Sequence, residues 1–242
     1  RNLDYLGFRC VVDVIDCPEA RSDHQPQLLP APPPVDTGPR ISWTEASRAP
    51  VMKPSRNWRR LYGTDRELLL LSPQPPVSVP KGYVYVPPGE FWLGHPRGPS
   101  NMHPFQKVFL PGYFIGRCEV TNREYNRFVQ TTRTGPPRSW PYGRLHPLIA
   151  DHPVTEVTFA DAKGYAAYVG GCLPTEFEWE KAARGVDGRS FPWGAKFDRD
   201  RANTQESGFG GPIPVGSLAN AGPYGALDMC GNVFEWDVIL AR

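Results

Sequence analysis

The chain has 242 residues, of which 40% are hydrophobic and 12% aromatic, enough apolar material for a packed core. Its formal net charge is +2 with both signs interspersed, which excludes the strongly basic surface that nucleic acids or anionic membranes need in a partner. The longest apolar run, Leu68 to Leu71, is far shorter than the roughly 20 residues of a membrane-spanning helix, and no signal peptide opens the sequence. Localisation stays unknown.

The first 80 residues do not read as a domain. Leu6 to Val12 is a short β-branched and aromatic run that predicts one strand, and Cys17-Pro18 ends it. Residues 18–80 are rich in proline, which favours extended backbone and predicts a linker. Trp58 and Leu68 to Leu71 are apolar, so we expect part of this linker to lie against the following domain or to form a short helix.

The compact domain is predicted from residue 81 onward. Tyr83 to Val86 alternates like a strand, and Glu90 to Gly94 after Pro87-Pro88-Gly89 predicts the second arm of a hairpin. Further strands are expected at Lys107 to Leu110 and at Tyr113 to Ile115.

Three helices are predicted from their start signals. Thr121 and Glu124 have the capping-box spacing, as do Thr175 and Glu178, and Thr158 opens a helix between them. Gly185 follows the last helix as a C-terminal cap. The remaining residues are dense in glycine, proline, asparagine and aromatics, which indicates a core built from coil that needs something to hold it together.

Seven segments follow one another in a recognisable order. They are Val86 to Gly94, Glu119 to Tyr125, His152 to Ala162, Leu173 to Gly185, Phe191 to Gly194, Pro214 to Ser217 and Gly231 to Trp236. Together they resemble the formylglycine-generating enzyme, or sulfatase-modifying factor, family. The resemblance implies an α+β fold of the C-type-lectin-like variant, coil-rich with short strands and about three short helices, and usually holding calcium.

The resemblance also predicts how the chain is divided. The family domain should continue past Trp236 to a segment with paired redox cysteines and a final Gly-Phe-Arg-Cys strand, whereas Gly7-Phe8-Arg9-Cys10 stands near the front. We therefore interpret the chain as a fragment of a tandem array. Residues 1–17 are the terminal strand of a preceding copy, 18–80 a linker and 81–242 a truncated second copy, which makes another copy of the domain in the same chain the expected partner. Circular permutation is the alternative.

The strongest chemical pattern lies at residues 228–235. Two carboxylates with backbone carbonyls between them suit a hard cation that takes six to eight oxygen ligands, which favours calcium over zinc. The resemblance implies a structural Ca²⁺ held by the side chains of Asp228 and Glu235 and by the carbonyls of Gly231 and Val233. The alternative is a solvated acidic turn.

A second family metal site maps to residues 203–209. The resemblance implies ligands at Asn203, the Thr204 carbonyl, Ser207 and the Phe209 carbonyl. The family has a carboxylate where this chain has Ser207, so we expect binding there to be weaker.

The five cysteines include no Cys-x-x-Cys pair, so neither a zinc site nor a thioredoxin-type site is indicated. Cys118, Cys172 and Cys230 are interpreted as buried structural thiols. The family often bridges its last-strand cysteine to a helix cysteine, but the matching helix position here is Ala166.

The resemblance implies oxidation of a cysteine in a protein or peptide substrate to formylglycine with copper and oxygen. That chemistry needs paired thiolates for a soft Cu(I) ion, and the segment that would supply them is missing, so we expect the fragment itself to be inactive. The family's iron-dependent sulfoxide synthases carry a His-rich helical domain in front, which residues 1–80 do not resemble. The alternative function is a non-catalytic lectin-like module that binds or displays ligands or proteins.

Overall fold

The computed structural model describes residues 6–13, 27–28, 78–95 and 105–238. The strands are β1 (Leu6–Gly7), β2 (Val11–Asp13), β3 (Gln27–Leu28), β4 (Tyr83–Val86), β5 (Gly89–Leu93), β6 (Gln106–Leu110), β7 (Tyr113–Gly116) and β8 (Phe234–Glu235). The helices are α1 (Asn122–Thr132), α2 (Phe159–Tyr168) and α3 (Glu176–Arg184). Short 3-10 turns lie at Pro141–Gly143, Pro147–Ile149 and Gln205–Ser207. This mixture of strands with few helices agrees with the predicted α+β class.

The strands form three small sheets. Their orders are β2-β7-β4, β3-β6-β5 and β1-β8, and the β1–β8 pair is parallel. The prediction that β4 and β5 form a hairpin is wrong, because β4 pairs with β7 and β5 pairs with β6. Pro87 and Pro88 have no amide hydrogen with which to close a turn between neighbouring strands. The ammonium group of Lys181 instead holds this corner by donating to the carbonyls of Pro87 and Gly89.

All three helices start where the sequence predicts, and each begins with a capping box. In α3, Glu178 N donates to Thr175 Oγ1 at 3.2 Å, and Thr175 N donates to Glu178 Oε2 at 2.8 Å. Such caps satisfy amides that would otherwise lack partners at a helix start. Gly185 ends α3 with a φ of +69°, as its position as a cap predicts.

Two apolar clusters form the core. One lies between the β-sheets and α3 and includes Phe91, Val108 and Phe177. The other lies between α1 and α2, where Tyr125 and Tyr165 stack with their ring centroids 5.7 Å apart. Both clusters draw on the N-terminal segment, since Val11 belongs to the first cluster and Phe8 to the second.

The structure places residues 6–13 inside this fold. The sequence predicts that this strand is the end of a preceding copy of the domain. That assignment stays a prediction. Of the predicted linker, Gln27–Leu28 forms a strand on β6 and residues 78–80 are described, whereas Trp58 and Leu68 to Leu71 lie outside the described residues. No helix within the described ranges combines the length and apolarity that crossing a membrane requires.

Candidate metal centre

The first predicted metal loop, residues 228–235, begins at a buried carboxylate. Asp228 is 2% exposed and has a left-handed backbone with a φ of +56°. Its Oδ2 accepts from the Gly216 amide at 2.6 Å, and its Oδ1 accepts from Asn220 Nδ2 at 2.8 Å. Each oxygen of Asp228 therefore has a protein donor, and the burial of this side chain is unlike that of a solvated turn.

At the other end of the loop, Glu235 pairs with Arg9. Arg9 Nε donates to Glu235 Oε2 at 2.6 Å, and Nη2 donates to Oε1 at 2.5 Å, which is the bidentate arrangement of a strong ion pair. The two side chains are 0% and 4% exposed. Nη1 donates to the Leu227 carbonyl at 3.2 Å. Burial by itself lowers the pKa of Arg9, but the attraction of Glu235 raises it above the ordinary value, so the guanidinium keeps its charge.

A third carboxyl group, Glu119, lies beside this pair. It is 2% exposed, and its Oε1 accepts from Asn232 Nδ2 at 3.0 Å, whereas its Oε2 has no hydrogen-bond partner among the described residues. Burial raises the pKa of Glu119 well above the ordinary value, Arg9 opposes that rise, and the charges of Glu235 and Asp228 add to it. Glu119 therefore lies within the influence of one guanidinium and two other carboxyl groups in a buried region.

Asn232 joins the first loop to the second. Its Oδ1 accepts from Asn203 Nδ2 and from the Ile213 amide, each at 3.0 Å, and its own amide donates to the Asn203 carbonyl at 2.8 Å. Gly231 makes this approach possible: a Cβ at Gly231 would lie 2.5 Å from the Asn203 carbonyl oxygen. The two predicted metal loops therefore touch.

The second loop is held by the hydroxyl group of Ser207, at the position where the resemblance implies a carboxylate. Ser207 Oγ lies within hydrogen-bonding distance of two carbonyl oxygens, that of Arg199 at 2.8 Å and that of Ala202, which share its one hydrogen. It also accepts from the Thr204 amide at 3.3 Å. A carboxylate could not donate to these carbonyls. Phe209 is 50% exposed, so its side chain adds little to the closure of the loop.

The oxygen atoms of the first loop are of the type that calcium prefers, but the acidic side chains do not converge on one point. Carboxylate and carbonyl oxygens suit Ca²⁺, and a divalent cation would offset the excess of carboxyl groups over guanidinium around Glu119. Among the described residues, however, no three His, Cys, Asp or Glu side chains are grouped so that they could hold a metal ion. Both oxygens of Glu235 are already engaged by Arg9. A cation at this loop would therefore depend mainly on the Gly231 and Val233 carbonyls and on lone pairs that the carboxylates still have free.

The thiols near the loops are poorly suited to react. Burial raises the pKa of Cys118 to about 12, and it also raises the pKa of Cys230. Of the described cysteines only Cys10 is buried, whereas Cys118, Cys172 and Cys230 are partly exposed. Because the thiolate is the nucleophile and the metal ligand, the raised pKa values of Cys118 and Cys230 disfavour reaction there. The prediction that Cys118, Cys172 and Cys230 are buried is wrong in degree, since each is partly exposed.

A cavity of about 610 Å³ lies next to the second loop. Its lining includes Trp193, Lys196, Phe197, Asp198, Arg199 and Arg201. Phe191 stacks on Trp193 with their ring centroids 5.6 Å apart, and Trp193 Nε1 donates to the Lys196 carbonyl at 2.9 Å. The cavity therefore combines a braced aromatic wall with more positive than negative side chains.

Sequence reasoning missed four members of the buried network: Arg9, Glu119, Asn220 and Asn232. Arg9 and Glu119 each lie inside a motif that was noted for another reason, the Gly-Phe-Arg-Cys strand and the entry to α1. Asn220 lies in coil with no local pattern that marks it. The only available signal was charge within otherwise apolar motifs, since buried charges are usually paired.

These features define a mixed helix-and-strand domain with few helices, whose long C-terminal coil is held by buried polar contacts. Residues 70–238 match the family described as "Sulfatase-modifying factor enzyme 1-like domain". The chain therefore belongs to this family.

Individual relatives agree with that membership. The chain is 42% identical over 207 residues to "Inactive C-alpha-formylglycine-generating enzyme 2" of Bos taurus, a match covering 63% of this chain and 69% of the relative. It is 35% identical over 193 residues to "Hercynine oxygenase" of Mycolicibacterium smegmatis, which covers 63% of this chain. The chain spans only 44% of the length of that relative.

A solved structure shares the fold. "Structure of PvdO from Pseudomonas aeruginosa" superimposes with a TM-score of 0.52 at 24% identity, covering 66% of this chain and 71% of that one. At this identity the likeness concerns the fold alone.

Proposed function

We propose that this chain forms the scaffold of a formylglycine-generating domain. The intact domain would oxidise a cysteine of a protein or peptide substrate to formylglycine and thereby activate sulfatases. The family match over residues 70–238 carries this proposal. Its relatives include proteins named hercynine oxygenase and formylglycine-generating enzyme, so the choice of formylglycine formation rests on the motif resemblance in the sequence.

The oxidation itself is assigned to residues that the described ranges do not contain. Copper, when bound, supplies the reaction with oxygen, and holding Cu(I) takes thiolates that lie close together. The described thiols do not fit it, because burial raises the pKa of Cys118 and Cys230 and the described residues contain no group of His, Cys, Asp or Glu side chains that could hold a metal ion.

Calcium belongs to the same proposal as a structural ion. Asp228 and Glu235, with the carbonyls of Gly231 and Val233, would hold it at the first loop. Asn203, Thr204, Ser207 and Phe209 would form a weaker site at the second loop. The excess of carboxyl groups around Glu119 supports a cation at the first loop, where positive charge would favour their ionised forms.

The C-type-lectin-like description and the tandem arrangement are further parts of the proposal. The placement of residues 6–13 within the fold is compatible with a terminal strand of this kind coming from another copy of the domain. The expected partners are accordingly a protein or peptide substrate and a second copy in the same chain.

The activity is tested with a cysteine-containing sulfatase peptide. The 242-residue chain and the product of the intact gene are each incubated with the peptide, copper and oxygen, and aldehyde formation is followed by hydrazide labelling and mass spectrometry. We expect no aldehyde from the 242-residue chain and aldehyde from the intact product. An intact product that contains a cysteine pair beyond residue 242 and still leaves the peptide unchanged would contradict the proposal.

The alternative is a non-catalytic binding or display module, which the cavity beside the second loop favours. Its aromatic wall and its Lys196 and Arg199 side chains suit a small anionic ligand with a flat face. The relative from Bos taurus is itself named inactive. The residues after Arg242 distinguish the two functions: an Arg-x-x-x-x-x-Cys with a second cysteine shortly after favours the oxidase, and their absence favours the binding module.

A further inference from the structure

The connection between α1 and α2 is anchored to the core by a buried tryptophan and a buried asparagine. Trp140 is 3% exposed, and its Nε1 donates to Asn122 Oδ1 at 2.6 Å. Asn122 Nδ2 donates to the Ile149 carbonyl at 3.0 Å and to the Pro153 carbonyl at 3.1 Å. These contacts hold residues 133–149, which we name the arginine loop, at its middle and at its end. The loop is therefore a fixed surface feature.

Two large side chains project from the arginine loop into solvent. Tyr142 is 100% exposed and Leu148 is 80% exposed. The backbone of Tyr142 is left-handed with a φ of +55°, a region that bulky residues rarely adopt and that is enriched at functional sites. A glycine at position 142 would avoid this strain. The tyrosine therefore destabilises the free chain, and its fully exposed ring adds nothing to the core.

The same part of the chain carries an unbalanced positive charge. Residues 125–150 contain four arginines, no lysine and no acidic residue. The whole chain has a net charge of +2, so the remaining residues sum to −2. The four are Arg127, Arg133, Arg138 and Arg144, all exposed. None of them forms an ion pair with a described residue, whereas Arg123, just before this stretch, pairs with Asp151.

Two of these arginines flank the exposed tyrosine. A Cβ at Gly143 would lie 3.2 Å from Pro136 Cγ, so the loop folds back on itself and brings Arg138 towards Arg144. A guanidinium binds a carboxylate through two parallel hydrogen bonds, and tyrosine and arginine are the residue types that often dominate binding at protein interfaces. Because the loop is already fixed, little conformational entropy is lost when a partner binds to it.

We propose that the arginine loop is a docking surface for an acidic segment of a partner protein. The Tyr142 ring and Leu148 supply the apolar contact, and Arg138 and Arg144 each take a carboxylate of the partner. One projecting ring between two guanidinium groups matches carboxylates placed around an apolar residue. Nucleic acids are held by more phosphate contacts than two arginines provide. Docking at this loop does not depend on the proposed oxidation.

The proposal is tested by selecting a displayed library of short random peptides on the full 242-residue chain. We expect the enriched peptides to contain more Asp and Glu than the unselected library. The affinity of the most enriched peptide is then measured by fluorescence anisotropy, and we expect it to fall at least about tenfold when Arg138→Glu and Arg144→Glu are combined. The matched control combines Lys163→Glu with Arg199→Glu, which reverses two exposed charges elsewhere and should change the affinity little.

Tyr142→Gly separates binding from folding. The glycine removes the ring and adopts the positive φ without strain, so we expect an unchanged or higher melting temperature together with an affinity at least about tenfold lower. A lower melting temperature with unchanged affinity would assign the ring to the fold and overturn the proposal.

Three further results would overturn it. The first is a selection that enriches no peptide, or peptides without an excess of acidic residues. The second is a loss of affinity in the control pair instead of the pair at Arg138 and Arg144, which would place the peptide at the cavity beside the second loop. The third is that single-stranded DNA or phosphatidylserine vesicles bind as tightly as the peptide and with the same dependence on Arg138 and Arg144.

Discussion

The Lys181 ammonium group donates a hydrogen bond of 2.8 Å to the carbonyl of Pro87, and the side chain that makes this bond is fully buried. Its second hydrogen bond, of 3.0 Å, goes to the carbonyl of Gly89. Both of these acceptors are neutral backbone carbonyls. Burial lowers the pKa of Lys181 to about 7. A buried lysine therefore ties α3 to the corner between β4 and β5.

This lysine makes stability depend on pH in the alkaline range. Between the lowered pKa of the folded state, about 7, and the ordinary pKa of the unfolded state, the unfolded chain binds more protons. The contribution of Lys181 therefore increases as pH rises from about 7 to about 10, by roughly 4 kcal/mol over the whole window, and is lost as pH falls through 7. We expect the melting temperature of wild type, relative to Lys181→Met, to rise between pH 7 and pH 9. Lys163→Met, at an exposed position on α2, is the control and should run parallel to wild type.

Removing one partner of the Arg9–Glu235 pair should destabilise the fold strongly. Arg9→Ala leaves a buried carboxylate without its partner, which costs about 3 to 5 kcal/mol in comparable buried pairs. The free energy of unfolding in urea measures this loss. The matched control is Arg123→Ala, which removes an exposed pair with Asp151 and should change stability little. Similar losses for the two variants would contradict a special role for the buried pair.

Gly231 should tolerate alanine far less than Gly210 does. Both glycines have positive φ angles, +89° and +80°, so alanine at either position costs about 1 to 2 kcal/mol of backbone strain. Only at Gly231 would the new Cβ also meet the Asn203 carbonyl oxygen at 2.5 Å, whereas nothing lies within 4 Å at Gly210. We expect Gly231→Ala to lower the melting temperature clearly more than Gly210→Ala. Equal effects would mean that the two loops do not touch in solution.

Calcium should stabilise the chain through the first loop. A ligand that binds only the folded state at about 100 times its Kd adds about 2.7 kcal/mol, which differential scanning calorimetry resolves. We expect chelator to lower the melting temperature of wild type and to have less effect on Asp228→Asn. Asp200→Asn, on the exposed loop beside the cavity, is the control.

The second loop gives a gain-of-function version of the same test. Ser207→Asp restores a carboxylate at this position and should add a second calcium-dependent increase in melting temperature. If chelator leaves the melting temperatures of wild type and Ser207→Asp unchanged, the calcium assignment is wrong at both loops.

The sequence predicted what is local and missed what is distant. The helix starts at Thr121, Thr158 and Thr175 are encoded within four residues, and all three are confirmed. The pairing of β4 with β7 is not local, so the adjacent strand β5 was a wrong but natural choice of partner. Sequence alone gave no physical means of choosing between these pairings.

The site shows the same division. Asp228 and Glu235 were recognised because they share a short motif, whereas the partner of Glu235 lies 226 residues away at Arg9. The contact of Asn232 with Glu119 spans 113 residues. A local pattern identifies oxygen atoms that could bind a metal. It does not reveal which of these oxygens already accept hydrogen bonds from distant parts of the fold.

The amide of Asn232 has only one possible orientation. Its Oδ1 accepts from the Ile213 backbone amide, which cannot act as an acceptor, and this leaves Nδ2 to face Glu119. One rigid side chain therefore connects the second loop to the carboxyl groups of the first. By thermodynamic reciprocity, any free energy by which order in one loop favours order in the other must act equally in the reverse direction. A substitution that loosens one loop is therefore expected to loosen the other through Asn232.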